Sequence, residues 1–300
     1  MAALDFIETT FGPDYRKLTV ENGEIAWWEV GEGDETLVWV HGLPLDSRSW
    51  EAQRRYFSGR CRNLFLDLGG YGQSTKLPSG TKDVTALYCA DLVALLDHLN
   101  LSSVMLVGFA SAGHVALRFA AIHPERVAKL VTINASPRFR RDADWPWGFS
   151  DEGIDHFVRP LRERGIEGIT DAVLDPDTVF RDLSVADAKR LRDWFRPMSL
   201  QAGPDTLMGF FDGISRDDDR HLLGSVQAST LLIVGTVGQE VPTDVGLFIR
   251  QNIRKARLIE LPGVDHFSFA TRPDLINAII DDFRLELRHR EASLPGGKSF

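Results

Sequence analysis

Short runs of consecutive apolar residues alternate along the chain with longer segments whose apolar positions recur every three or four residues. Thr36–Val40, Asn63–Leu66 and Val104–Val107 are such runs and predict strands buried on both faces, and Lys129–Ile133, Thr230–Val234 and Ala256–Leu261 are read as three further strands. Gly23–Val30 follows an Asn22-Gly23 turn signal and predicts a hairpin strand. Between the strands, Val84, Leu87, Leu92, Leu95, Leu96 and Leu99 fall on one helical stripe, and Ser111–Ile122 is an alanine-rich helix. Pro273 opens a last helix, predicted to turn Leu275, Ile279 and Phe283 inward. Strand and helix in alternation, with short joints, predict the α/β class: a mostly parallel, doubly wound sheet covered on both faces by right-handed crossovers.

One region breaks that rhythm. From Pro137 to about Ser229 the periodicity is helical, no buried strand is evident, and aromatic residues are frequent, Trp145, Trp147, Phe149 and Phe211 among them. This predicts a helical lid inserted between two strands of the sheet. The expected organisation is a core from 1–137 and 230–290, a lid or cap over 138–229, and a disordered tail over 291–300, where Pro295-Gly296-Gly297 offers nothing to pack.

Charge narrows the partners. Thirty-four Lys and Arg against 43 Asp and Glu give a net charge of −9, which disfavours nucleic acid and anionic membrane surfaces. Cys61 and Cys89 make no bridge framework and no metal spacing. The first residues lack a basic segment followed by an apolar run, and no stretch reaches the roughly 18 apolar residues of a membrane span. The expectation is a cytoplasmic protein acting on a small apolar molecule, with no metal or organic cofactor implied.

In an open parallel sheet, sites form beyond the carboxyl ends of the strands. The Val104 strand runs through Gly108-Phe109-Ala110-Ser111-Ala112-Gly113 into a helix with no loop between. Such a junction forces a tight bend with one strained residue at its apex, flanked by small residues so that strand and helix can approach. Gly108, Ala112 and Gly113 meet that need and place Ala110 at the apex.

These residues, together with His41-Gly42, Asp67-Leu68-Gly69-Gly70-Tyr71-Gly72-Gln73-Ser74, His123-Pro124-Glu125-Arg126-Val127 and Gly263-Val264-Asp265-His266, resemble the α/β-hydrolase superfamily, in the right order and spacing over almost the whole chain. The resemblance implies a nucleophile at Ala110, a catalytic histidine at His266, and an oxyanion hole from the backbone N–H groups of Leu43 and Ser111. His41 would orient its loop, and Asp67 and Ser74 would brace a tight turn. Trp145, Trp147, Phe149 and Phe211 are expected as substrate contacts in the lid.

Two positions depart from the family pattern. Ala110 offers a methyl where a nucleophile belongs. The acid position in Gly235-Thr236-Val237-Gly238-Gln239-Glu240-Val241-Pro242 is Gly238, which leaves Glu240 as one acid candidate and Asn134, after the preceding strand, as an alternative position. Taking Ser111 as a shifted nucleophile would set the bulky Phe109 where the strand and helix must approach. Three readings accommodate these departures. The foremost is an ester- or lactone-cleaving hydrolase with Ser replaced by Ala at residue 110. The second is a native non-hydrolytic enzyme (a decarboxylase or lyase, a cyclase or a cofactor-independent oxygenase) using His266 and the oxyanion hole. The third is a catalytically silent protein that binds a small ligand.

Overall fold

The computed structural model describes residues 4–8, 12, 14–237 and 241–292. Two strands, β1 (Arg16–Val20) and β2 (Gly23–Val30), form the hairpin signalled by Asn22-Gly23. After them come β3 (Thr36–Val40), α1 (Glu51–Phe57), β4 (Arg62–Asp67), α2 (Val84–His98), β5 (Val104–Phe109), α3 (Ala110–Ile122) and β6 (Val127–Ile133). Three helices follow, α4 (Asp151–Val173), α5 (Val185–Ser199) and α6 (Pro204–Arg216), before β7 (Ser229–Gly235), α7 (Thr243–Asn252), β8 (Ala256–Leu261), α8 (Ser268–Thr271) and α9 (Pro273–Ala292).

The strands make one eight-stranded sheet in the order β1-β2-β4-β3-β5-β6-β7-β8. Only the β1–β2 and β2–β4 pairs are antiparallel. Every residue of β3 and of β5 is buried, as the unbroken apolar runs require of central strands covered on both faces. Local signals fix the helix starts. The side chains of Asp83, Ser150 and Ser184 accept hydrogen bonds from the N–H groups of Ala86, Gly153 and Asp187, capping α2, α4 and α5, and Pro204 opens α6.

The insertion between β6 and β7 is helical, and its two ends are tied together. The Asp219 N–H donates to the Pro137 carbonyl at 2.9 Å, and the Arg138 guanidinium meets Asp218 at 2.8 Å. Arg118 on α3 anchors this neck to the core, bonding Asp219 through Nε at 2.7 Å and through a terminal nitrogen at 2.8 Å. His114, one turn earlier on the same helix, is fully buried beside the same carboxylate.

Two expectations need correction. On α9 the inward residues are Ile276, Ile280 and Phe283, spaced by four and three, whereas Leu275 is 43% exposed; the helical face sits one residue further along than the Leu275-Ile279 stripe implies. Helix α9 also runs to Ala292, so the first two residues of the expected tail are helical, and the remainder lie outside the described residues. Among the described residues, no helix is long and apolar enough to cross a membrane.

Candidate active site

The segments that follow β3, β5 and β8 converge on a chamber that the helical insertion also lines. About 530 Å³ of space unfilled by protein atoms, open to solvent at its mouth, lies there. Leu43, Ala110, Ser111 and His266 form its chemical side. Phe139, Phe149, Phe157, Phe210 and Phe211 from the insertion line the rest, with Val173, Val241 and Phe267.

Ala110 occupies the apex of the strand-to-helix bend. Its φ is +48°, in the left-handed region that side chains with a Cβ enter at a cost of roughly 1–2 kcal/mol. Phe109 before it is still extended, at φ −108° and ψ 133°. The small flanking residues make the bend possible. A Cβ on Gly108 would lie 2.6 Å from the Ala112 carbonyl oxygen, and one on Gly113 would collide with the Ala135 methyl. Ser111 stands one residue further on, inside α3 rather than at the strained apex, yet its side chain also faces the chamber.

The Leu43 N–H is already engaged: it donates to Ser111 Oγ at 2.9 Å. The Ser111 N–H lies in the first turn of α3, where a helix has no acceptor of its own to offer. His41 positions the Leu43 loop. Its Nε2 accepts the Leu68 N–H at 3.1 Å, which assigns the proton to Nδ1, directed at the Gly42 carbonyl at 3.2 Å. Burial pushes its pKa down to about 4, consistent with a neutral ring that both donates and accepts.

His266 follows β8 and is 5% exposed. Its ring lies against Phe109, 4.9 Å between centroids, and edge-on to Phe267 at 5.4 Å. Burial pushes its pKa down to about 4, against a smaller upward pull from Asp265. The ring is therefore neutral at pH 7. The Asp265 carboxylate accepts the Arg181 N–H at 2.8 Å through one oxygen and the His266 N–H through the other.

Asn134 supports this loop through the backbone and not through the imidazole. Its amide donates to the His266 carbonyl at 2.5 Å and its oxygen accepts the Gly235 N–H at 2.9 Å. Glu240 and Gly238 lie outside the described residues. Asp67 and Ser74 are turn braces: Asp67 accepts from the N–H groups of Ser47 and Gln73, and the Ser74 hydroxyl donates to the Asp67 carbonyl.

Of the four lid aromatics expected at the ligand, Phe149 and Phe211 line the chamber. Trp145 and Trp147 do not. Trp145 is fully buried against Trp147 and Phe248, with the Arg220 guanidinium 5.3 Å from its ring. Its indole N–H donates to the Arg138 carbonyl at 2.9 Å. A large amphipathic ring near the neck of the insertion is thus used to pack the insertion onto α7. Phe157 and Phe210 belong to the aromatic-rich stretch expected to supply part of the chamber's roof, whereas nothing in the sequence singled out Phe139 or Phe267 as contacts; the usable signal for Phe267 was its place directly after the histidine.

The sheet order, the left-handed bend after β5, the histidine loop after β8 and the insertion after β6 together define a protein of the hydrolase kind built on an open α/β sheet. The model of the alpha/beta hydrolase fold matches residues 35–273, and the chain belongs to that family. A pimeloyl-[acyl-carrier protein] methyl ester esterase of Nitrosomonas europaea is 28% identical over 258 residues, covering 84% of this chain and 96% of that one. Among solved structures, a bromoperoxidase from Bacillus anthracis superposes with a TM-score of 0.80 at 24% identity, over 90% of this chain and 99% of the other. An esterase from Exiguobacterium antarcticum gives a TM-score of 0.81 at 21% identity, over 89% and 98%.

Proposed function

We propose that the chain takes a small, apolar ester, lactone or related carbonyl compound into the phenylalanine-lined chamber. In this reading Ala110 stands where a hydrolase of this fold carries its nucleophile, His266 is the proton-transfer group, and no acyl intermediate forms while residue 110 is alanine. The observation that carries it is Ala110 at φ +48°, facing the same chamber as His266. A strained bend suited to presenting a nucleophile is kept around a methyl that gains nothing from it. The ester class is supported by the esterase relative, and the two buried, unbridged cysteines suit a reducing cytoplasm. The test is Ala110→Ser, assayed on p-nitrophenyl acetate and butyrate. Losing a nucleophile costs up to about 10⁶ in kcat, and recovery of even about 10² over the parent supports the reading. A folded variant with no gain overturns it.

A second reading rests on the neutral His266 ring. An imidazole with pKa near 4 is unprotonated at pH 7, and beside a hydrogen-bonded carbonyl it serves as a base for enolisation without any covalent step. Deuterium uptake α to the carbonyl of a bound ketone in D₂O measures this. Uptake that persists in His266→Ala rules it out.

A further inference from the structure

We propose that the Ser111 hydroxyl, and not the Leu43 N–H, joins the Ser111 N–H in donating to the carbonyl oxygen of the chamber's ligand. This rests on the reading of the chamber as a site for apolar carbonyl compounds. The Leu43 N–H carries one proton, and that proton is spent on Ser111 Oγ at 2.9 Å. The hydroxyl keeps its own proton. Among the described residues no acceptor takes it, and the side chain lines the chamber at 7% exposure.

An unmatched donor in such surroundings is costly, and a ligand that brings an acceptor relieves the cost. The other lining side chains are apolar except for His266, so a compound with one acceptor oxygen on an otherwise apolar body satisfies the site. The hydroxyl acts as a relay. Accepting from Leu43 polarises its O–H bond and strengthens the bond it donates in turn.

Acetophenone and ethylbenzene, near-identical in shape and differing by a carbonyl for a methylene, are the probes. Calorimetry on the intact protein is expected to show tighter binding of acetophenone. Ser111→Ala is expected to weaken acetophenone about tenfold while leaving ethylbenzene unchanged, which also shows the variant folded. Ser111→Thr, which keeps the hydroxyl, is expected to retain the preference. The infrared carbonyl band of bound ¹³C-acetophenone should shift to lower wavenumber in the parent and lose that shift in Ser111→Ala. Acetophenone binding that is unchanged or tightened by Ser111→Ala overturns the relay and returns the role to Leu43, leaving the chamber reading intact. Failure of both probes to bind the parent overturns the relay and the chamber reading together.

Discussion

Replacing Ala110 by glycine tests the bend with a sign as well as a magnitude. At φ +48° the alanine methyl crowds the backbone at a cost of roughly 1–2 kcal/mol, and glycine carries no such cost. Against this, glycine gives up about 0.5–1 kcal/mol of backbone entropy relative to alanine. The lost methyl is partly exposed to the chamber, so its burial is worth only a fraction of the roughly 0.8 kcal/mol of a fully buried carbon. The balance is a stabilisation of about 0.5 kcal/mol. In an ordinary helix interior the same change destabilises by about 1 kcal/mol. Two placements of residue 110 therefore differ by roughly 1.5 kcal/mol and in direction. Urea unfolding of parent and variant, with equal m-values, measures the difference. A loss near 1 kcal/mol would refute the strained apex.

Three further outcomes follow from buried groups. His41 and His266 both have pKa values near 4 in the fold against an ordinary 6.5, so the unfolded chain binds their protons first and stability falls as pH drops from 6.5 towards 4, by up to roughly 3 kcal/mol for each. His41→Gln should flatten part of that fall in urea unfolding at stepped pH; an unaltered slope contradicts the burial argument. Arg118→Met strips the Asp219 carboxylate, 4% exposed, of its two-pronged partner. It should cost about 3–5 kcal/mol, and thermal unfolding within 1 kcal/mol of the parent would show that the neck does not depend on this pair. Phe157 stacks on Phe211 at 6.0 Å, so Phe157→Ala should improve binding of butyrophenone relative to acetophenone, and an unchanged ratio would place the ligand elsewhere.

The middle of the sheet was readable from the sequence because β3, β4 and β5 are buried almost throughout and carry runs of apolar residues. The histidine loop and the bend were readable because their glycines and small residues answer to backbone geometry. The amphipathic hairpin strand β1, with mixed burial, gave no such run. What the sequence left dark depends on side-chain direction. Trp145 and Phe149 are four residues apart in an irregular segment, and nothing in their spacing tells which one packs on α7 and which faces the chamber. The bond between Leu43 and Ser111 joins residues 68 positions apart, and it turns a backbone donor expected to be open into one that is capped. Asn134 matched an alternative acid position by order alone; its amide is held by two backbone groups.

The most direct measurement is intact-mass and peptide mapping after exposure to an alkyl fluorophosphonate, comparing the parent, Ala110→Ser and the double variant with His266→Ala. The account predicts no adduct on the parent, one adduct at position 110 of the single variant, and its loss in the double variant. An adduct on Ser111 of the parent would contradict it, since the reactive hydroxyl would then be present one residue away from the apex.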